Sequence, residues 1–199
     1  MTVLASVCVF CGSRPGHNPE YLEAARAVGH LLGANRVDLV YGGGKVGLMG
    51  AVADAALAAG GRVVGIIPQV LVDREQGHPG LTELHVVGTM HERKRLMAAR
   101  AAAFVALPGG LGTFEELCEV LTWAMLGIHR KPCAVLDVDG YYQPLLALLD
   151  HAVEEGFLGT AQRALLTAAR APGDLLPALD RQMAKLALDL PVPGQRIIP

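Results

Sequence analysis

Apolar residues in this chain gather into short runs divided by amphipathic stretches. Val3–Phe10, Val37–Tyr41, Arg62–Ile67, Leu84–Val87, Ala103–Leu107 and Cys133–Val138 are nearly all continuous apolar segments, which predicts parallel strands covered on both faces. The intervening Pro19–Leu32, Leu48–Ala59, His91–Ala101, Thr113–Leu126 and Gln143–Glu154 predict helices. Strict alternation of the two implies βαβ units, hence one α/β domain with a Rossmann-like, doubly wound, mainly parallel sheet flanked by helices. Beyond Gly156 the pattern predicts short helices, with Leu175, Leu179, Met183 and Leu186 covering one face. The three prolines of Pro191–Pro199 mark a flexible tail, so the expected domain is residues 1–190.

Composition excludes several classes of function. The chain has 199 residues, a net charge of −2 and a pI near 6.4, so it carries no broad basic field and nucleic acid is not an expected partner. Its longest uncharged run, Ala101–Phe114, is shorter than the ~20 residues of a membrane span and is broken by Pro108-Gly109-Gly110. No basic residue precedes Arg14, so a secretory leader is not expected and the expected location is the cytoplasm. Of the four cysteines, Cys8 and Cys11 form a CxxC, but within a strand two residues three apart face opposite sides of the sheet. Neither a redox nor a metal role is therefore expected of them, and no metal or other cofactor is expected.

Three glycine-rich turns follow predicted strands: Cys11-Gly12-Ser13-Arg14-Pro15-Gly16, Tyr41-Gly42-Gly43-Gly44-Lys45-Val46-Gly47 and Pro108-Gly109-Gly110-Leu111-Gly112-Thr113. Ligands of open parallel sheets bind at such strand ends, where glycine lets a phosphate approach the backbone and a helix start offers free amides. Gly42-x-Gly44-x-x-Gly47 matches a dinucleotide fingerprint, but the acidic residue expected at the end of the next strand is replaced by Pro68-Gln69. Nor does Gly44-Lys45 open a P-loop, because Val46 stands in place of Ser or Thr.

Two further segments carry candidate chemistry. Met90–Met97 opens a helix with a cationic cluster; Arg95 stands where a zinc-metalloprotease helix needs its second histidine, which rules that reading out. Thr113-Phe114-Glu115-Glu116 is either a capping box or the start of a catalytic helix whose carboxylate lies beside a phosphate site. Glu115 and Glu116 stand about 100° apart around a helix, so only one of them is expected to face a pocket.

The segment Pro108–Glu116, reading PGGxGTxxE, together with Met-His-x-Arg-Lys at Met90–Lys94, resembles the Lonely guy (LOG) family of cytokinin-activating phosphoribohydrolases. Phe10-Cys11-Gly12-Ser13, Tyr41-Gly42-Gly43-Gly44, Gly47-Leu48-Met49-Gly50, Gly65-Ile66-Ile67-Pro68 and Asp139-Gly140-Tyr141-Tyr142 extend the likeness over about residues 4 to 160. The resemblance implies hydrolysis of AMP or N6-substituted AMP to free base and ribose 5-phosphate, with neither metal nor organic cofactor, by a homodimer. It implies Arg93 and Glu116 as the catalytic pair and Glu75, Lys94, Gly110, Leu111, Gly112, Thr113, Glu115 and Thr122 as substrate contacts, with Gly12, Ser13, Gly42, Gly43 and Gly44 completing the pocket. The Thr113–Leu126 helix, with Trp123 and Met125, is a candidate dimer contact, although core packing explains those residues equally well. A nucleotide sensor or carrier would use the same turns without Glu116. A decarboxylase would need a lysine placed for pyridoxal phosphate.

Overall fold

Side chains rich in Val, Ile, Leu and Ala on both faces commit the strands to the interior, where each fully buried aliphatic contributes about 1.5–3 kcal/mol. The computed structural model describes residues 4–72 and 76–188. Its strands are β1 (Ser6–Phe10), β2 (Asp38–Tyr41), β3 (Val63–Pro68), β4 (Glu83–Val87), β5 (Ala103–Ala106), β6 (Cys133–Leu136) and β7 (Leu166–Ala169). They form one parallel sheet in the order β4-β3-β2-β1-β5-β6-β7. Helices α1 (Glu20–Ala34), α2 (Gly47–Ala58) and α7 (Leu175–Leu188) cover one face; α3 (Met90–Arg100), α4 (Leu111–Met125) and α5 (Gln143–Glu154) cover the other, and α6 (Thr160–Arg163) is a single turn before β7. The expected doubly wound single domain is thus what forms.

From β1 the strand order runs outward through β2 to β4, and the chain then returns to place β5 on the other side of β1. That reversal opens a crevice above the carboxyl ends of β1, β2 and β5, the switch point at which such sheets bind ligands. Cys8 packs in one core cluster and Cys11 in the other, as the alternation of a strand requires.

Two expectations need correction. Leu166–Ala169, read as part of a helical tail, is the edge strand β7, paired to β6 in the register Cys133↔Leu166. Four residues, three of them not β-branched, carry little strand signal, and it is pairing with β6 that decides their conformation. The second correction is that α4 begins at Leu111 rather than Thr113, which determines what its first turn presents to the crevice. The expected tail, residues 191–199, lies outside the described residues.

Candidate active site

A cavity of about 700 Å³ occupies the switch point, bounded by the turns after β1 and β5, by Gly42 after β2, and by the starts of α3 and α4. Its size falls within the range of small-molecule sites. Gly12, Ser13, Gly42, Arg93, Gly110, Leu111, Gly112, Thr113, Glu115 and Glu116 all border it, so the structure brings together most of the residues singled out in the sequence.

The start of α4 supplies the main polar surface. Gly110 is its N-cap, with no side-chain cap, and Phe114 N–H donates to Gly110 O at 3.1 Å. The amides of Leu111, Gly112 and Thr113 are first-turn donors with no carbonyl a turn earlier to receive them, and among the described residues they meet no protein acceptor. Thr113 is therefore inside the helix and buried against Gly109, and the capping-box reading of Thr113 and Glu116 is wrong. A box of that type opens α3 instead: Thr89 Oγ1 accepts from Glu92 N–H at 3.1 Å, and Glu92 Oε2 accepts from Gly88 N–H at 3.0 Å. A Cβ added at Gly110 or Gly112 would meet no atom within 4 Å. The space these glycines leave is cavity, which suits close approach of an anion to the backbone.

Arg93, in the first turn of α3, is 5% exposed, and its Nη2 donates to Gly42 O at 3.3 Å. A side chain at Gly42 would overlap that guanidinium, so this glycine is what admits Arg93 to the cavity wall. Glu116 is half-buried on α4 and borders the same space. Both charges act on the Cys8 thiol: burial pushes it well above its ordinary value, Glu116 raises it further and Arg93 draws it down. Arg93 and Glu116 thus border the same cavity and carry opposite charges.

Other expectations fare differently. Both Glu115 and Glu116 border the cavity, because it wraps over the end of α4 rather than along one side. Lys94 Nζ, almost buried, donates to Glu115 at 2.5 Å and to Glu119 at 3.0 Å. Burial lowers its affinity for a proton, but the two carboxylates outweigh that and hold its pKa above the usual lysine value. It faces a small secondary cavity with Trp123 rather than the main one. Thr122 is exposed three turns along α4, its hydroxyl donating to Cys118 O at 2.7 Å, and it borders neither the main cavity nor the small one beside Trp123. Glu75 lies outside the described residues.

Gly43 and Gly44 do not border the cavity. Gly43, at φ 79°, packs on Ile67 and Leu84, and Gly44 bridges to Gly77. Two residues with evident roles were not singled out from the sequence. Arg14, exposed in the turn after β1, borders the cavity, and its position in a strand-end glycine turn is the available signal. Tyr141 lines the cavity from the turn before α5. Among the described residues no cluster of three His, Cys, Asp or Glu side chains is arranged to hold a metal, and no helix is long and apolar enough to cross a membrane.

The family model described as "Possible lysine decarboxylase" matches residues 49–179. Cytokinin riboside 5′-monophosphate phosphoribohydrolase LOG7 of Arabidopsis thaliana is 48% identical over 190 residues, covering 92% of this chain and 88% of its own. The cytokinin riboside 5′-monophosphate phosphoribohydrolase of Rhodococcoides fascians is 53% identical over 159 residues, covering 79% of this chain and 80% of its own. The chain belongs to the LOG family. Membership of the LOG family agrees with the fold: the Moco carrier protein of Chlamydomonas reinhardtii superposes with a TM-score of 0.67 over 90% of this chain and 97% of its own, at 20% identity. That likeness is one of architecture alone. The decarboxylase description of the LOG family model finds no support in the cavity, which no lysine borders among the described residues.

Proposed function

We propose that this chain hydrolyses the N-glycosidic bond of AMP and of N6-substituted, cytokinin-type AMP. Water adds across the bond between anomeric carbon and base, the hydroxyl going to ribose 5-phosphate and the proton to the leaving base. One observation carries the proposal: the open amides at the start of α4 and Glu116 border one cavity and belong to one helix. The five residue steps from Leu111 to Glu116 rise about 7.5 Å along the axis, a span comparable with a ribose bridging a 5′-phosphate and the anomeric carbon. Names of the relatives support the same chemistry, since those proteins are phosphoribohydrolases of cytokinin riboside 5′-monophosphates.

In this reading the phosphate sits on the amides of Leu111, Gly112 and Thr113, where helix-dipole charge favours an anion. Arg14 adds charge at the rim. As the glycosidic bond breaks, positive charge develops on the ribose; the Glu116 carboxylate stabilises it or activates the attacking water. Arg93, fixed by Gly42, orients the carboxylate and the substrate. No cofactor is required. The volume of the cavity, about 700 Å³, leaves room for an N6 substituent.

A homodimer joined near the exposed Met125, Leu126 and Ile128, at the end of α4, is part of the proposal, as is a cytoplasmic setting in which the four free thiols stay reduced. Light scattering coupled to size-exclusion chromatography tests the first. The reaction itself is tested by incubating the protein with AMP and with isopentenyl-AMP and separating the products by chromatography. Free base and ribose 5-phosphate are expected in equal amounts. Tight binding of AMP with no released base would point to a nucleotide sensor or carrier.

A further inference from the structure

The turn after β5 offers an anion its amides while three successive carbonyls are occupied elsewhere. Leu107 O accepts the Tyr142 hydroxyl at 2.7 Å, Pro108 O accepts Gly12 N–H at 3.0 Å, and Gly109 O accepts the Tyr141 hydroxyl. Both phenols come from the segment between β6 and α5, which the sequence singles out only as Asp139-Gly140-Tyr141-Tyr142. Tyr142 is wholly buried and its N–H donates to Asp137 Oδ1 at 2.7 Å; Asp137, also buried, accepts Gln143 Nε2 on its other oxygen. Burial raises the Tyr142 phenol well above its ordinary value, so its hydroxyl keeps its proton and remains a donor. Tyr141 is held by its ring, stacked on Phe114 of α4 at 6.4 Å and set edge-on to Tyr21 of α1 at 5.5 Å.

In a planar trans peptide the carbonyl and the following N–H point in opposite directions. Fixing Gly109 O on Tyr141 therefore fixes the direction of the Gly110 amide. Flanked by two glycines, that peptide has no Cβ on either side to resist reversal, and a reversed peptide would turn its carbonyl oxygen toward the space its amide now faces.

We infer that Tyr141 is a positioning residue for the phosphate of the substrate, acting through the carbonyl of Gly109 to keep the Gly109–Gly110 peptide from reversing, while Tyr142 anchors the start of the turn at Leu107, whose peptide with Pro108 has no N–H to orient. The inference rests on the reading of this cavity as a nucleoside monophosphate site. It predicts a defect confined to phosphate-bearing ligands, which a general packing role would not produce.

The test is calorimetric titration of wild type, Tyr141→Phe and Tyr142→Phe with AMP, adenosine and ribose 5-phosphate, alongside steady-state kinetics. Tyr141→Phe should bind AMP and ribose 5-phosphate about five- to tenfold more weakly, the effect of one lost hydrogen bond, and adenosine as wild type does, whereas Tyr142→Phe should keep the wild-type preference for AMP over adenosine. The kinetic loss should fall on KM with kcat nearly unchanged. Tyr141→Phe, at the less buried position, decides the matter if Tyr142→Phe does not fold. In Tyr141→Phe, equal losses for AMP and adenosine, or no loss for AMP, would overturn the inference, as would a wild type that does not prefer AMP over adenosine. A wild type that binds AMP in preference to adenosine without releasing base, and whose Tyr141→Phe variant loses that preference, would refute the hydrolase reading and uphold this one.

Discussion

The Gly42–Gly47 turn and the Pro108–Thr113 turn share a composition and a place in the topology, yet the protein uses them in opposite ways. In the first, Lys45 N–H donates to Gln76 O, Gly43 O accepts His78 N–H, Gly44 O accepts the Tyr41 hydroxyl, and Leu48 N–H at the start of α2 donates to Gly12 O. That helix start is already occupied by a carbonyl from the turn after β1. In the second, the carbonyls are occupied and the amides are open. A glycine-rich strand–turn–helix can thus receive an anion only where the rest of the chain leaves its donors unspent.

The loop after β3 is what closes the first turn. His78, 6% exposed, accepts Gly80 N–H on Nδ1, so its other ring nitrogen is the donor to Asp54 Oδ1 of α2 at 2.9 Å. His78 N–H reaches Gly43 O at 2.9 Å from the same place. Asp54, His78 and the Gly43 backbone therefore lock loop, helix and turn into one packed unit.

The largest effect that can test this contrast is at Glu116, on the helix that the open turn begins. Glu116→Gln keeps the size of the side chain and the amides of α4, and removes the charge. Turnover of AMP should fall by about 10²–10⁴-fold, the usual contribution of a positioned acid or base, with AMP affinity within a few-fold of wild type. Wild-type turnover would break the assignment of the reacting group to α4.

Next in size come paired glycine substitutions, for which the two turns predict opposite signs. Gly47 has φ 60°, and a Cβ there would overlap the Ser13 carbonyl carbon, so Gly47→Ala should cost about 2–4 kcal/mol in urea unfolding. Gly112 lies in the first turn of α4 with open space around it. Gly112→Ala should leave the fold as stable or gain up to about 1 kcal/mol, because alanine restricts the unfolded chain and suits a helix. Yet its methyl group enters the cavity, and AMP affinity should drop about tenfold or more, as displacing an anion from the amides removes charge-assisted bonds. Should Gly112→Ala bind AMP normally, the α4 start would not be the phosphate site.

Much of this was legible beforehand, for reasons that differ from residue to residue. Buried parallel strands such as Val63–Pro68 announce themselves because both faces must be apolar, and the meeting of Arg93 and Glu116 at one cavity is what a resemblance spanning two separate motifs leads one to expect. The contrast between the turns was not legible. It depends on Gly12, Gln76, His78, Tyr141 and Tyr142 arriving from distant parts of the chain, and local composition carries no record of which donors they consume. The start of α4 was misplaced by two residues for a related reason: Thr113-x-x-Glu116 has the form of a cap, whereas the true cap is Gly110, a residue with no side chain to signal it.

The smallest expected effect separates packing from binding within α4 itself. Far from Gly110, His129 accepts Lys131 N–H on Nδ1 at 3.1 Å, so Nε2 is the donor to Val120 O at 2.9 Å, and the ring lies 5.2 Å from that of Phe104. Burial lowers the pKa of the ring below its ordinary value, and the nearby Lys131 lowers it further, against the opposing pull of Val120 O. The unfolded chain therefore takes up the proton first, so this contribution to stability is complete above pH ~6.5 and is lost as the pH falls below that toward the folded pKa. His129→Gln removes the titrating group, and the wild-type protein should lose stability more steeply than the variant as the pH falls below about 6.5. Over the same range the ratio of their AMP dissociation constants should stay constant, because His129 holds the far half of α4 and touches none of the amides that face the cavity. A ratio that drifts with pH would mean that the two ends of the helix are coupled, and that the open turn owes its shape to packing in the core as well as to its own hydrogen bonds.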